Sequence, residues 1–420
     1  MTRDGRELGP TAIVWLLGVS QILGYGTLYY SFSILAEDVA GTFGWPVSWL
    51  YGSFSLALLA GGLVAPVVGR RIDRHGGGAV MAAGSVLAAA TLLAASLAPN
   101  PWVFSAAVIA MQASGSLVLY DAAFAVLVQT TGAGARLRIT HLTLIAGFAS
   151  TIFWPLTSWL HGVLDWRAIM IGFAAVNLAI CLPIHLLIAG QHRRSRAAAL
   201  TMEAPPAVIH DSVMPPLVQR RVLWLVTGGF ALAGFTLSAV LNQMVPMLAA
   251  LGLGTSALVV STLFGPAQVL VRLVNMLIGL KRHPMPATLI AIGIMPIAIL
   301  ILLLTAPLAA GAVVFAILLG FSSGLKSIVQ GTLPLALFGS ASYGARLGWM
   351  AFARQVLAAA APFVLAWLTG TIGLTYALAI ITGVAALGFL AFVEVARLRQ
   401  THRPGGRTVV AEEQRSTISP

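Results

Sequence analysis

The sequence predicts an all-α membrane protein in which twelve transmembrane helices form two related halves of six. Three observations support this prediction. Of the 420 residues, 59% are hydrophobic and only 9% are charged, whereas a soluble domain carries about 25% charged residues. Long apolar runs alternate with short polar loops along the whole chain, and three short motifs recur at an offset of 208 or 210 residues.

The twelve apolar runs, which we number as spans 1 to 12, are long enough to cross a hydrocarbon core about 30 Å thick. They must be helical because unpaired backbone groups are costly in lipid. We expect them at residues 11–35, 48–69, 79–97, 102–130, 139–161 and 167–190, and at 222–250, 255–280, 287–305, 309–338, 347–369 and 374–397. The domains are then an N-terminal half (1–190), a cytoplasmic linker (191–221), a C-terminal half (222–397) and a tail (398–420) that we expect to be disordered.

The repeats relate the two halves. Gly134–Leu137 (GARL), after span 4, recurs as Gly344–Leu347, after span 10, and Arg74-His75 recurs as Arg282-His283. The sequence WLHG that begins at Trp159 returns as WLTG in the matching part of span 11. A parallel repeat of six spans predicts a pseudo-two-fold axis along the membrane normal, which is a geometry found in alternating-access transporters.

The distribution of charge predicts the orientation. The net charge is +12, and 20 of the 24 Lys and Arg residues fall in segments on one side of the twelve spans, which the positive-inside rule makes cytoplasmic. Both termini would then be cytoplasmic, and the charge reflects topology and not a nucleic-acid partner. Arginine outnumbers lysine by 22 to 2, which suggests a GC-rich bacterial genome and therefore the inner membrane.

The segment Gly69–Gly78 (GRRIDRHGGG) carries the most specific resemblance. It is similar to the loop G-x-x-x-D-R-x-G-R-R between spans 2 and 3 of the major facilitator superfamily, with matches at Gly69, Asp73, Arg74 and Gly76. The resemblance implies the fold of that superfamily and secondary transport. It also implies a cytoplasmic gate in which the aspartate bonds an arginine, here Arg136 or Arg346, and the start of span 11.

Two further stretches, Tyr25–Ser33 and Thr143–Pro155, resemble a bacterial group of arsenite efflux permeases within that superfamily. That resemblance implies export of trivalent arsenic and antimony species. The G-P-x-x-G-G element of drug–proton antiporters is missing from span 5, where Trp154-Pro155 stands instead. A monocarboxylate or organic-anion transporter is the alternative, and a membrane-embedded enzyme or sensor is a distant one.

The superfamily resemblance implies that spans 1, 4, 7 and 10 line a central cavity. Polar residues at a spacing of four, which lie on one helical face, do concentrate in three of these spans, and span 7 carries two adjacent amides. The cavity candidates are Gln21, Tyr25, Tyr29, Gln112, Ser116, Tyr120, Asn242, Gln243, Ser322 and Gln330.

Asp121 is the only carboxylate deep within a predicted span, and Lys326 occupies a similar depth in the matching span of the other half. A charge at that depth is costly unless it is paired, protonated or hydrated. We therefore expect the two residues to face each other and to form the proton-coupling site. A static ion pair that only fixes helix packing remains the alternative.

Arg272 and Arg354 lie about two turns inside spans 8 and 11, where they could extend to cytoplasmic headgroups, pair at the gate or meet a substrate anion. The single cysteine, Cys181, excludes a multi-cysteine metal site, and we expect no cofactor. No P-loop is present to drive a primary pump. The expected partners are the bilayer, a small-molecule substrate and protons, and we expect a monomer.

Overall fold

The computed structural model describes residues 8–201, 215–278 and 283–401. The described chain is helical and contains no strand, and twelve of its helices are long and apolar enough to cross a membrane. This confirms the predicted fold class. The central part of the linker, residues 202–214, the tail beyond Thr401 and the repeat residue Arg282 lie outside the described residues.

The spans of the first half are Pro10–Phe43, Val47–His75, Gly77–Ser96, Pro101–Thr131, Ala135–His161 and Trp166–Gln191. Those of the second half are Pro216–Asn242, Ser256–Ile278, Pro284–Thr305, Ala309–Phe338, Tyr343–Ile372 and Leu374–Thr401. Because the number of spans is even, the described chain begins and ends on the same side. We call this side the terminal face and the other side the opposite face.

Each half packs around its own core in the same pattern. Span 3 contacts spans 4 and 6, and its counterpart span 9 contacts spans 10 and 12. Span 1 packs on span 5 as span 7 packs on span 11. One buried cluster contains only residues from Val222 to Val395, and another only residues from Leu28 to Ala174. Large apolar side chains such as Leu63 and Phe363 remain exposed on the outside, as expected of a surface in contact with lipid.

The halves meet mainly through segments near the terminal face. Span 11 packs on span 2 and on the second part of span 4, and the first part of span 5 packs on spans 8 and 10. The approach of spans 2 and 11 is closest at Gly69, where a Cβ atom would overlap the carbonyl oxygen of Gly344. The contacts described here therefore close the passage between the halves on the terminal face.

Several predicted continuous spans are interrupted. Span 4 breaks at Leu119, which is extended, and span 5 breaks at Gly147–Phe148. Span 1 contains a π-helical turn at Gly26–Tyr30. Span 7 ends at Asn242 and not at residue 250 as predicted, because Pro246 has no N–H to donate to the Asn242 carbonyl. At the break in span 4, the N–H groups of Ala122 and Ala123 both donate to the Leu119 carbonyl, which leaves the Val118 carbonyl without a helical donor.

Candidate functional site

The segment at residues 69–78 is not the open loop that the sequence predicts. Span 2 remains helical to His75, and Gly77 already begins span 3. Gly76 alone makes the turn, with φ of 86°, a conformation that favours glycine. Gln129, which the sequence analysis missed, accepts from the Gly77 N–H at 2.8 Å and donates to the Ile72 carbonyl at 3.0 Å. The side chain thus caps both helix ends.

Asp73 lies in the last turn of span 2 and binds the start of span 11. Its two carboxylate oxygens accept from the backbone N–H groups of Gly344 at 2.9 Å and Ala345 at 2.8 Å. These N–H groups are in the first turn, where the helix carries partial positive charge and lacks internal acceptors. Asp73 therefore caps a helix of the other half.

Arg346, one of the two predicted arginine partners of this gate, lies within electrostatic range of Asp73, and its hydrogen bonds go to backbone carbonyls. Arg346 donates to the carbonyls of Phe338 at 2.9 Å and Ala341 at 2.7 Å, at the end of span 10. The guanidinium binds these carbonyls because the last carbonyls of a helix have no donors within the helix. Arg136 lies in the first turn of span 5, and Arg74 in the last turn of span 2.

Asp73→Asn should weaken the closed terminal face. An amide can accept only through its single oxygen, so one of two charge-assisted hydrogen bonds is lost, each of which is worth about 1.5–3 kcal/mol. We expect the ratio of closed to open protein to fall by roughly 10- to 100-fold. Distances between spin labels on the terminal face measure this ratio, and an unchanged distribution would contradict the capping role. Asp38→Asn, at an exposed pair with His161, is the control.

Asp121 occupies the break in span 4. Because Leu119 is extended, a new helix starts at Tyr120, and Asp121 lies in its first turn, where partial positive charge favours a carboxylate. Gln21 of span 1 donates to the freed carbonyl of Val118 at 2.7 Å. The break thus places the Asp121 carboxylate near the middle of the protein. The Val118 carbonyl that it frees explains why the Gln21 amide is buried beside it.

The partner of Asp121 is Arg354 and not Lys326, which corrects the pairing that the sequence predicts. The Arg354 Nη2 atom donates to Asp121 Oδ2 at 2.9 Å across the two halves, and both side chains are largely buried. Asp121 Oδ1 and Arg354 Nη1 are buried without a hydrogen-bond partner. Arg354 does not extend to headgroups, because span 11 turns this face toward span 4.

Lys326 and Arg272 bring two more positive charges to this centre. Lys326 is buried, lies within electrostatic range of Arg354, and has no hydrogen bond or ion pair within the described part of the chain. Arg272 is also buried and donates to the Thr143 carbonyl of span 5 at 3.2 Å, while its Nε atom has no partner. The Thr143 carbonyl also accepts from the Gly147 N–H at the end of the first helix of span 5. We call Arg272, Lys326 and Arg354 the central cations.

An aromatic wall from the first half faces the central cations. Tyr25 packs on Tyr120 with ring centroids 4.7 Å apart, and Tyr30 packs on Tyr29 and Trp154 at 5.4 and 5.9 Å. Arg272 is within electrostatic range of Tyr30 and Tyr120, and Tyr25 is within range of Asp121 and Arg354. We define the aromatic wall as Tyr25, Tyr29, Tyr30, Tyr120 and Trp154.

Several predicted cavity residues instead bond buried backbone. Gln21 and Ser322 are fully buried, and Ser322 donates to the Ala291 carbonyl at 2.6 Å. Three more predicted cavity residues donate to backbone carbonyls of other spans: Gln112 to Leu28, Ser116 to Gly61 and Gln243 to Pro362. Gln330 is buried, whereas Asn242 is exposed and bonds Ser238. Helix breaks and close helix packing create these carbonyl partners, which a helical spacing rule does not anticipate.

Three solved structures of transporters have a similar fold. The proton:xylose symporter XylE bound to 6-bromo-6-deoxy-D-glucose has a TM-score of 0.68 at 13% identity, with 91% of this chain and 95% of that chain covered. The human organic anion transporter MFSD10 (TETRAN) has a TM-score of 0.64 at 16% identity, covering 93% and 100%. The transporter FucP in its outward conformation has a TM-score of 0.63 at 14% identity, covering 91% and 98%.

No curated protein matches the sequence. The profile of the Major Facilitator Superfamily, however, matches residues 14–362, which is most of the chain. The match includes the Asp73 cap, the broken span 4 and the central cations described above. The chain therefore belongs to the major facilitator superfamily of membrane transporters.

Proposed function

We propose that this protein is a secondary transporter that moves a small organic anion by alternating access, coupled to protons. The observation that supports this proposal most directly is the excess of cationic over acidic side chains at the centre of the protein. Of the three central cations, only Arg354 is paired with a carboxylate, Asp121, and within the described chain Arg272 and Lys326 have no acidic partner. Buried charge in a membrane protein is costly unless it is compensated. An anionic substrate would supply that compensation when it binds.

The arrangement of partners supports a role for each residue. Lys326 Nζ, Arg272 Nε and Arg354 Nη1 each have hydrogen-bonding capacity that the described chain leaves unused. A carboxylate or similar anion accepts several such bonds. The aromatic wall would then pack on the apolar part of the substrate, with Tyr29, which is partly exposed, at its edge.

Proton coupling would act through the Asp121–Arg354 pair. A proton taken up on Asp121 Oδ1, which has no partner, would neutralise the carboxylate and weaken its attraction to Arg354. Arg354 could then bind the substrate anion, and release of the proton would restore the pair. Because the pair joins span 4 to span 11, this exchange would also alter the contact between the halves. A pair that only fixes packing is the alternative.

The sidedness that we propose follows from the basic segments. The terminal face carries the exposed Arg70, Arg71 and Arg74, together with Arg193 and Arg194. By the positive-inside rule this face is cytoplasmic, in a bacterial inner membrane. The structure would then be closed to the cytoplasm and open to the other side, with both termini cytoplasmic and the protein acting as a monomer.

Export of arsenite is the second candidate. The stretches that resemble arsenite permeases, Tyr25–Ser33 and Thr143–Pro155, contribute much of the aromatic wall and the carbonyl that binds Arg272. A single cysteine, Cys181, which is buried in span 6, cannot provide a three-thiolate arsenic site. Arsenite would have to travel as the neutral hydroxide, hydrogen-bonded by tyrosine hydroxyls. Such a cargo brings no negative charge to Arg272 and Lys326, so we rank it second.

An exchange assay in proteoliposomes separates the two candidates. Vesicles loaded with unlabelled lactate, oxalate or arsenite are given the same labelled compound, and counterflow is followed. We expect exchange of at least one organic anion. In Arg272→Gln and Lys326→Gln, exchange should fall by roughly 10- to 100-fold at low substrate, which corresponds to one charge-assisted hydrogen bond.

Arg221→Gln is the matched control for that assay. Arg221 lies near the terminal end of span 7 and forms an ion pair with Glu394 at 2.8 Å. A pair of this kind near the surface is worth at most about 1 kcal/mol. The Arg221→Gln variant should leave exchange nearly unchanged. The opposite result would be exchange of arsenite but of neither organic anion, with arsenite exchange unchanged in the Arg272 and Lys326 variants. That result would favour arsenite export over organic-anion transport.

A further inference from the structure

A groove outside the central site runs along the seam between the halves. It has a volume of about 350 Å³ and is walled by spans 5, 8, 9 and 10. Its wall from span 10 extends from Phe321 to Thr332, a length of about 16 Å at 1.5 Å per residue. This is close to half of a hydrocarbon core of about 30 Å. The groove is therefore as long as one leaflet is thick.

The groove is apolar along most of its length and polar at one end. Its middle is lined by Val271, Val274, Ala287, Ile290, Ile294 and Leu325. At the terminal face the lining changes to Arg136, Asn275 and His283. Val274 and Ile290 are partly exposed on the outer surface, so the groove is accessible from the bilayer. An acyl chain fits the apolar part, and an anionic headgroup complements Arg136.

Both halves contribute to the groove. Arg136, Leu137 and Thr140 come from span 5 of the first half, and the remaining lining comes from the second half. Alternating access requires the terminal face to open, which would separate span 5 from spans 8 and 10. The groove keeps its shape only while that face is closed, so a ligand seated in it binds the closed state. A ligand that binds one state shifts the population toward that state.

We infer that an anionic phospholipid of the terminal-face leaflet inserts one acyl chain into this groove, with its headgroup at Arg136, and holds the terminal face closed. The back wall is formed by Val271 and Leu325, which are the chain neighbours of Arg272 and Lys326. The lipid would thus act directly behind two central cations. It would regulate the cycle without occupying the substrate site.

Spin-label distances in nanodiscs test this inference on the full chain without any substrate, so the result is independent of the cargo proposed above. The labels are placed at Arg193→Cys and Ser340→Cys, which are exposed positions of the two halves, in a Cys181→Ala background. Discs contain dioleoyl phosphatidylcholine alone or with 30% dioleoyl phosphatidylglycerol. We expect the anionic lipid to raise the ratio of closed to open protein by about fivefold, as one arginine–lipid contact would.

Two variants and a control locate the effect. Ala287→Trp fills the groove, and Arg136→Gln removes its charge, so both should abolish the difference between the two lipid mixtures. Ala79→Trp is the matched control because Ala79 is the repeat equivalent of Ala287, 208 residues earlier, and is exposed at the start of span 3. It should keep the difference.

Equal distributions in the two mixtures would overturn the inference, as would a lipid effect that survives in Ala287→Trp and Arg136→Gln. Closure caused by added oleate in phosphatidylcholine discs, with no effect of phosphatidylglycerol, would assign the groove to a free fatty acid and also overturn it. Native mass spectrometry of the same variants measures retained phosphatidylglycerol directly. Retention should fall about fivefold in Ala287→Trp but not in Ala79→Trp.

Discussion

Asp121→Asn is expected to abolish accumulation of substrate driven by a pH gradient while leaving substrate exchange measurable. Asparagine has nearly the same shape and can still accept from Arg354, which lies 2.9 Å from the carboxylate. It cannot take up or release a proton, so the cycle loses its coupling. Exchange should change by about tenfold at most, because only the charged part of one hydrogen bond is lost.

The measurement compares two assays on the same vesicles. Uptake of the labelled anion under an imposed pH gradient reports coupling, and counterflow without a gradient reports binding and movement. Glu394→Gln is the control, since Glu394 is also a paired acid within the described chain but lies about two turns from the terminal end of span 12, where it pairs with Arg221. If Asp121→Asn vesicles still accumulate substrate under the gradient, Asp121 is not part of the coupling mechanism.

Gly69→Ala is expected to open the terminal face. The added methyl group would overlap the carbonyl oxygen of Gly344 and approach the Cα of Ala345 to 3.1 Å. Both are backbone atoms that cannot rotate away, so spans 2 and 11 must separate. Overpacking of this kind costs about 1–3 kcal/mol, which corresponds to a fall of roughly 5- to 150-fold in the ratio of closed to open protein.

The spin-label pair on Arg193 and Ser340 measures this change in lipid of fixed composition. Gly228→Ala is the control, because Gly228 is also helical but has no neighbouring atom within 4 Å of a Cβ. It should leave the distance distribution unchanged, and helix propensity gains should be equal in the two variants. If Gly69→Ala keeps the distribution of the parent protein, the contact between spans 2 and 11 does not hold the face closed.

Periodicity and composition predicted the helices well but not their interruptions. A span is detected because about 20 apolar residues are needed to cross the membrane, and that requirement leaves a strong trace in the sequence. The breaks at Leu119 and at Gly147–Phe148 leave little trace. Neither contains a proline, and at the first of them the partner of the freed carbonyl, Gln21, lies far away in the chain.

The candidate site illustrates the same limit. The sequence identified Asp121, Lys326, Arg272 and Arg354 as charges within spans, because any ionisable residue there is conspicuous. It assigned Lys326 to Asp121 by matching depths in equivalent spans. The actual partner, Arg354, comes from span 11, which packs on the second part of span 4.

The sequence by itself determined the class of protein, the number of spans, the repeat and the identity of the deep charges, because hydrophobic length and the cost of charge in lipid act residue by residue. Only the tertiary structure decided which charges pair, that Asp73 caps span 11 through Gly344 and Ala345, and that a groove joins the halves. Those features depend on how helices distant in sequence approach one another, and helical spacing within a single span carries no information about that approach.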